Sequence, residues 1–235
     1  MPGMFHFDPL YWILILPCLA LSGLCAAWVK NAFAEWSRVG ARSGLTGAQI
    51  AQAILDFNDV RGVTIEPVSG FLSDHYDPRS RTLRLSQDNY AGRSIAALGV
   101  AAHEVGHAIQ HSQGYAPLQF RSALVPILSI GSNLTFPLFF LGMFMRLPGL
   151  VLIAVAIFAL TTLFTLVTLP VEFDASRRAL LALEKGRILG DDELPGARKV
   201  LRAAGATYVA AAITSIATLI YYLIRSGILS GGRRD

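Results

Sequence analysis

Cysteine is almost missing from this chain. Two occur in 235 residues, Cys18 and Cys25, and both stand in one apolar block. That excludes a disulfide framework and a thiolate zinc site. Charge is scarce too: Asp, Glu, Lys and Arg make up 15% of the chain against 53% hydrophobic residues, where a soluble domain carries about 25% charged. No lysine or arginine precedes Lys30. The first apolar block therefore lacks the basic leading segment of a secretory signal, and it is longer than a signal core, although "AFA" at Ala32 to Ala34 has the small residues of a cleavage site. It is read as a retained span. Internal repeats, low-complexity segments and nucleic-acid-binding motifs are also missing. The net charge of +4 thus fits basic loops of a membrane protein and no nucleic-acid partner. No serine or cysteine is set beside a histidine in a nucleophile motif, which argues against covalent catalysis.

What the chain does have is long apolar runs. A bilayer core of about 30 Å needs roughly 20 apolar residues at about 1.5 Å each. Four runs qualify: Leu10 to Val29, Ala123 to Met145, Leu147 to Leu169, and Ala206 to Ile224. Only Arg146 and the turn-like "LPG" interrupt the second and third, so these form a helical hairpin. Tyr221 and Tyr222 fall where interfacial aromatics sit. The expected organisation is a first span (1–30), a polar region (31–122), the hairpin (123–171), a polar helix (172–205), and a fourth span with a tail (206–235).

An even number of crossings puts both polar segments on one side. Of the 20 Lys and Arg residues, the opposite side keeps only Arg146, Arg225, Arg233 and Arg234. The positive-inside rule then makes the polar segments cytoplasmic and both termini external. Such a chain is expected in the membrane that bounds the cytoplasm.

Within the larger polar segment, "TGAQIAQAILDF" opens with a capping-box pattern at Thr46 and Gln49 and continues with helical spacing. Two short alternating runs, "GVTIEPVS" and "RTLRLS", flank the turn-rich "GFLSDHYDPRS" and predict a strand pair. Ser94 can then cap a helix, "SIAALGVAAHEVGHAIQHSQ", that ends near Gly114.

That last helix holds His103, His107 and His111. Residues four apart on a helix are offset by about 40° and about 6 Å, so His103 and His107 can share one ion. Zinc suits two imidazole nitrogens, a third protein ligand and an open position for water. Glu104, within a turn of both, is placed to act as general base on that water. A Glu and two His on an otherwise apolar helix would be costly to bury without a shared purpose. His111 lies about 12 Å from His103 along a straight helix, out of reach of the same ion, and no glycine breaks the helix before it. It is read as a helix-end or interfacial residue.

The third ligand is expected just after the third span, in "LPVEFDASRRALLALEKG". Pro170 suits the first turn of a new helix, and Glu172 emerges on the side that holds the histidines. Glu172 is the expected ligand and Asp174 the alternative.

"NYAGRSIAALGVAAHEVGHAIQH", with "SGLTGAQIAQAIL", "SDHYDPRSRTLRLS" and "VEFDASRRAL", resembles the bacterial YugP-type neutral zinc metallopeptidases from about Ser43 to Arg202. The resemblance implies a zinc-dependent membrane peptidase with one zinc on His103, His107 and Glu172, and Glu104 as base. More distantly the chain is similar to glutamate-zincin membrane peptidases, which often place an Asp four residues after the ligand Glu to steady a histidine. Here that position is Ser176, so Ser176, Asp174 or another residue takes that part.

The expected fold is a mainly α integral membrane protein with about four transmembrane helices and a small zincin-like α+β region. The expected reaction is peptide-bond hydrolysis on peptide or protein substrates, membrane proteins among them. Between the strands lie Asp74, His75, Tyr76 and Asp77, and the first reading there is a tight turn made by Asp74, Asp77 and Pro78. A strand edge there could also align a peptide, and His75 or Tyr76 could donate to the oxyanion. Two rivals remain: an intramembrane-cleaving zinc protease, and a non-catalytic zinc-binding scaffold.

Overall fold

The computed structural model describes residues 8–70 and 73–228. Arg233 and Arg234 of the charge count, and Phe71 and Leu72 of the turn-rich stretch, lie outside the described residues. Among the described residues four helices are long and apolar enough to cross a membrane: α1 (Pro9–Trp36), α5 (Ala116–Phe144), α6 (Pro148–Lys185) and α7 (Leu194–Arg225). Between α1 and α5 come α2 (Gly47–Phe57), β1 (Thr64–Val68), β2 (His75–Asp77), β3 (Thr82–Ser86), α3 (Gln87–Tyr90) and α4 (Ile95–Ser112). The protein is mainly α with one small sheet.

Pro170 does not open a new helix. α6 runs through it without a break, so the third span and the polar segment carrying Glu172 are one helix. Proline removes a single N–H bond from the ladder, and a long helix of this kind tolerates the loss.

The chain divides into two compact units. One comprises Met1–Leu24, Phe120–Val167 and Tyr208–Asp235. Its core gathers Phe139, Val151, Ala154, Val155, Tyr221 and Tyr222, with the Phe139 and Tyr222 rings stacked at 4.2 Å. Both tyrosines expected at an interface are thus buried, and Tyr221 donates to the Asp8 carboxylate at 2.8 Å.

The other unit comprises Cys25–Gln119 and Thr168–Thr207. Its sheet has the order β1-β3-β2. β1 and β3 do pair, but in parallel, with Ile65 opposite Leu83. The stretch between them supplies a third strand, β2, antiparallel to β3 with Tyr76 opposite Leu83. Asp77 makes the turn from β2 into β3, since its carboxylate accepts from the Arg79 N–H at 2.9 Å and the Ser80 hydroxyl at 2.8 Å. Leu83 and Leu85 are fully buried in a core with Ile50, Ile54 and Leu55 of α2 and Leu98 and Val105 of α4. Removing each such leucine from water is worth about 1.5–3 kcal/mol. The Thr46–Gln49 capping box is present, and the Ser94 hydroxyl accepts from the Ala97 N–H at 3.2 Å.

Candidate active site

α4 brings His103 and His107 to one face, their ring centroids 4.9 Å apart. Gly106, between them, is what lets a second helix come close: a Cβ there would stand 2.5 Å from the carbonyl oxygen of Ala175 on α6. At that separation Glu172, one turn earlier on α6, reaches both histidines. Its Oε2 lies 3.2 Å from His103 Nε2 and 3.7 Å from His107 Nε2. All three donor atoms fall within 4.8 Å of one another, and Glu172 is only 2% exposed.

Two imidazole nitrogens and a carboxylate oxygen form a donor set that zinc favours. Bonds of about 2.0–2.1 Å in a tetrahedral shell separate ligand atoms by about 3.3 Å. The Nε2 to Oε2 distances bracket that value, so these side chains fit the ion with small adjustments.

Glu104 sits beside this cluster, 8% exposed. Burial, with a smaller push from the Glu172 carboxylate, raises its pKa to about 7 against the attraction of His103 and a hydrogen bond from the Tyr76 backbone N–H. That N–H ties the acid to β2, an edge strand of the sheet.

Outside the donor set, each histidine has its own partner. Ser176 Oγ shares a hydrogen bond of 3.1 Å with His103 Nδ1. His107 Nδ1 lies 3.0 Å from Gln110 Oε1. The Gln110 amide nitrogen in turn donates to the Val171 carbonyl at 2.8 Å and to Asp174 Oδ2 at 2.9 Å. Asp174 also pairs with Arg177 and Arg178 and touches neither histidine directly. Gln110 escaped the sequence reading. Its signal was the three-residue spacing from His107, which places the two on one helix face.

The strand residues separate by side. Tyr76 turns toward α4, where its hydroxyl shares a 2.8 Å hydrogen bond with His111 Nδ1; burial raises the phenol pKa, so it stays protonated. His75 points the other way, as strand alternation requires, and is exposed with its ring nitrogen 2.8 Å from the Ser73 carbonyl. Asp74 ties the start of β2 to the end of β3 and to α3, accepting from the Ser86 N–H at 2.7 Å and from Asn89 Nδ2 at 2.9 Å. His111 lies outside the donor set.

Four helices apolar enough to span a membrane and a buried His, His, Glu cluster that could hold a metal ion define the class: a membrane protein with a candidate metal site. Comparison with known proteins gives the family. The one described as "putative neutral zinc metallopeptidase" matches residues 11–227, and the chain belongs to it. The chain is also similar to the protein named "Putative membrane protease YugP" of Bacillus subtilis (strain 168). The two are 42% identical over 215 residues, which cover 92% of this chain and 96% of that relative. No solved structure matches.

Proposed function

We propose that this protein is a membrane-bound zinc metallopeptidase in which His103, His107 and Glu172 hold one zinc ion and Glu104 is the general base. The observation that carries the reading is the convergence of three donor atoms within 4.8 Å beside a buried carboxyl whose pKa is about 7. Bound there, zinc would supply a Lewis acid and bring the pKa of water toward neutrality.

The chain's own residues do the rest. A carboxyl with a pKa near the working pH can take a proton from the attacking water and return it to the leaving nitrogen. The Tyr76 N–H keeps the carboxylate of Glu104 pointed inward, and the Tyr76 hydroxyl, set by His111, is the oxyanion donor in preference to His75. β2 is the edge along which an extended peptide aligns by main-chain pairing. The distribution of Lys and Arg supports a cytoplasmic site at the inner membrane, with peptides or the exposed parts of membrane proteins as substrates.

Cleavage within the bilayer is the weaker reading, because α4 is not among the four candidate spans and starts just after Arg93 and Ser94. A scaffold role would leave the buried acid unexplained.

The test is metal content of the detergent-purified protein, with Glu172→Ala and His111→Ala beside wild type. The expected result is about one zinc per chain, lost in Glu172→Ala and kept in His111→Ala. Peptide hydrolysis should be present in wild type and absent in Glu104→Gln. Zinc retained by Glu172→Ala and lost by His111→Ala would overturn the ligand set. Full zinc with no hydrolysis of any peptide in a diverse library would favour the scaffold.

A further inference from the structure

We infer that Gln110, oriented by Asp174, is the positioning residue for His107: it fixes the imidazole tautomer that leaves Nε2 free for a metal. The inference rests on the donor set proposed above but concerns residues outside it.

Gln110 is fully buried, at 0% exposure. A carboxamide has one acceptor oxygen and two N–H donors, and in a buried site each must find a partner of the right kind. Two of its neighbours, the Val171 carbonyl at 2.8 Å and the Asp174 carboxylate at 2.9 Å, can only accept. The nitrogen must face them, which leaves the oxygen facing His107 Nδ1 at 3.0 Å. That oxygen cannot donate, so His107 Nδ1 must carry the proton. A neutral imidazole protonated on Nδ1 has its lone pair on Nε2, the atom 3.7 Å from Glu172 Oε2.

The two histidines are therefore held differently. His103 Nδ1 meets the Ser176 hydroxyl, which can donate or accept and leaves the tautomer open. His107 meets an acceptor that cannot turn over, because turning it would place the amide oxygen against two groups that can only accept, the Val171 carbonyl and the Asp174 carboxylate. Asp174 is itself pinned by Arg177 and Arg178, and Arg178 also donates to Gln113 Oε1 at 2.6 Å. α6 thus acts on His107 twice, directly through Glu172 and at one remove through Asp174 and Gln110. The carboxylate that the glutamate-zincin resemblance would put at 176 stands at 174 instead, and a glutamine spans the gap.

The experiment compares zinc affinity, by competition with a chromophoric chelator, for wild type, Gln110→Met, Asp174→Ala and the double variant. The absorption spectrum of each cobalt-loaded protein reports ligand geometry. Loss of a side chain that orients a metal-binding histidine weakens metal affinity by about 10–100-fold, and that is expected for Gln110→Met, with altered cobalt bands. Asp174→Ala should lose less, since the Val171 carbonyl still orients the amide. The double variant should be no weaker than Gln110→Met alone, because Asp174 acts through Gln110. Wild-type affinity and an unchanged cobalt spectrum in Gln110→Met would overturn the inference, as would additive losses. Should Gln110→Met fail to fold, nitrogen NMR of histidine-labelled, zinc-loaded wild type decides: a protonated Nδ1 on His107 supports the relay, and metal on Nδ1 overturns it. Absence of zinc binding in wild type would overturn the metal centre itself, whereas zinc-loaded wild type with indifferent variants would overturn only the relay.

Discussion

Gly106 packs directly on the backbone of Ala175: a Cβ at 106 would meet the Ala175 carbonyl oxygen at 2.5 Å and its Cα at 3.1 Å. The contact lies between the two histidines of α4, next to His107, and one turn beyond Glu172 on α6. It therefore sets the gap that the donor atoms span.

Replacing Gly106 by alanine should force α6 away from α4. Overpacking of this kind typically destabilises by about 1–3 kcal/mol, and a shift of even about 1 Å would widen the 3.2 Å and 3.7 Å separations well past the roughly 3.3 Å that a tetrahedral zinc shell needs between ligand atoms. The expected outcome is a lowered midpoint in thermal unfolding together with loss of zinc. A Gly106→Ala protein that kept full zinc would show that the spacing is set elsewhere.

The approach of His103, His107 and Glu172 to one another was largely legible in the sequence, because helical spacing puts His103 beside His107 and Glu172 follows directly on the third apolar run. What surrounds those side chains was not. Gln110 looks like one more polar residue on a helix until α6 is packed against it, and nothing local says that Asp174 will reach it across 64 residues. The sheet was legible only in part, for a similar reason: its two alternating runs do pair, but their parallel sense and the third strand were hidden. β1 and β3 announced themselves by alternation, but β2 is three residues of "HYD" inside a turn-rich stretch, too short to show a period. Without it the parallel pairing could not be seen. Pro170 misled in the opposite direction: its local preference for a helix start lost to the continuity of a long helix.

Glu104 predicts a pH dependence for the metal-free protein. Its folded pKa of about 7 lies above the ordinary glutamate value of 4.5, so between those values the folded state binds more protons than the unfolded one. Stability then falls as pH rises through that window, by about 3 kcal/mol in all. Glu104→Gln removes the group. With a chelator present, the stability of wild type relative to Glu104→Gln should be highest below about pH 4.5, fall toward pH 7 and level off above it. Parallel profiles for the two proteins would mean that the carboxyl is not desolvated.

Tyr76 and His75 are neighbours on one strand with opposite expectations. The Tyr76 hydroxyl faces α4 through His111, and removing a donor to a developing oxyanion costs about 10²–10³ in kcat. Tyr76→Phe should therefore lower kcat by at least about 10²-fold with little change in KM. His75→Ala, which takes away an exposed ring bonded to the Ser73 carbonyl, should stay near wild type. Equal effects of the two would remove Tyr76 from the reaction.

Zinc should also act as a staple, because its proposed ligands come from two helices of one unit, His103 and His107 from α4 and Glu172 from α6. A ligand that binds only the folded state stabilises it by mass action, about 2.7 kcal/mol at a hundredfold excess over Kd. Added zinc should raise the unfolding temperature of the chelator-treated protein, and the rise should grow with zinc concentration. Glu172→Ala keeps both histidines but loses the link to α6, so its response should be small at the same concentrations. His111→Ala should respond like wild type, since His111 bonds Tyr76 and lies outside the donor set. If Glu172→Ala were stabilised as strongly as wild type, α4 alone would be holding the ion.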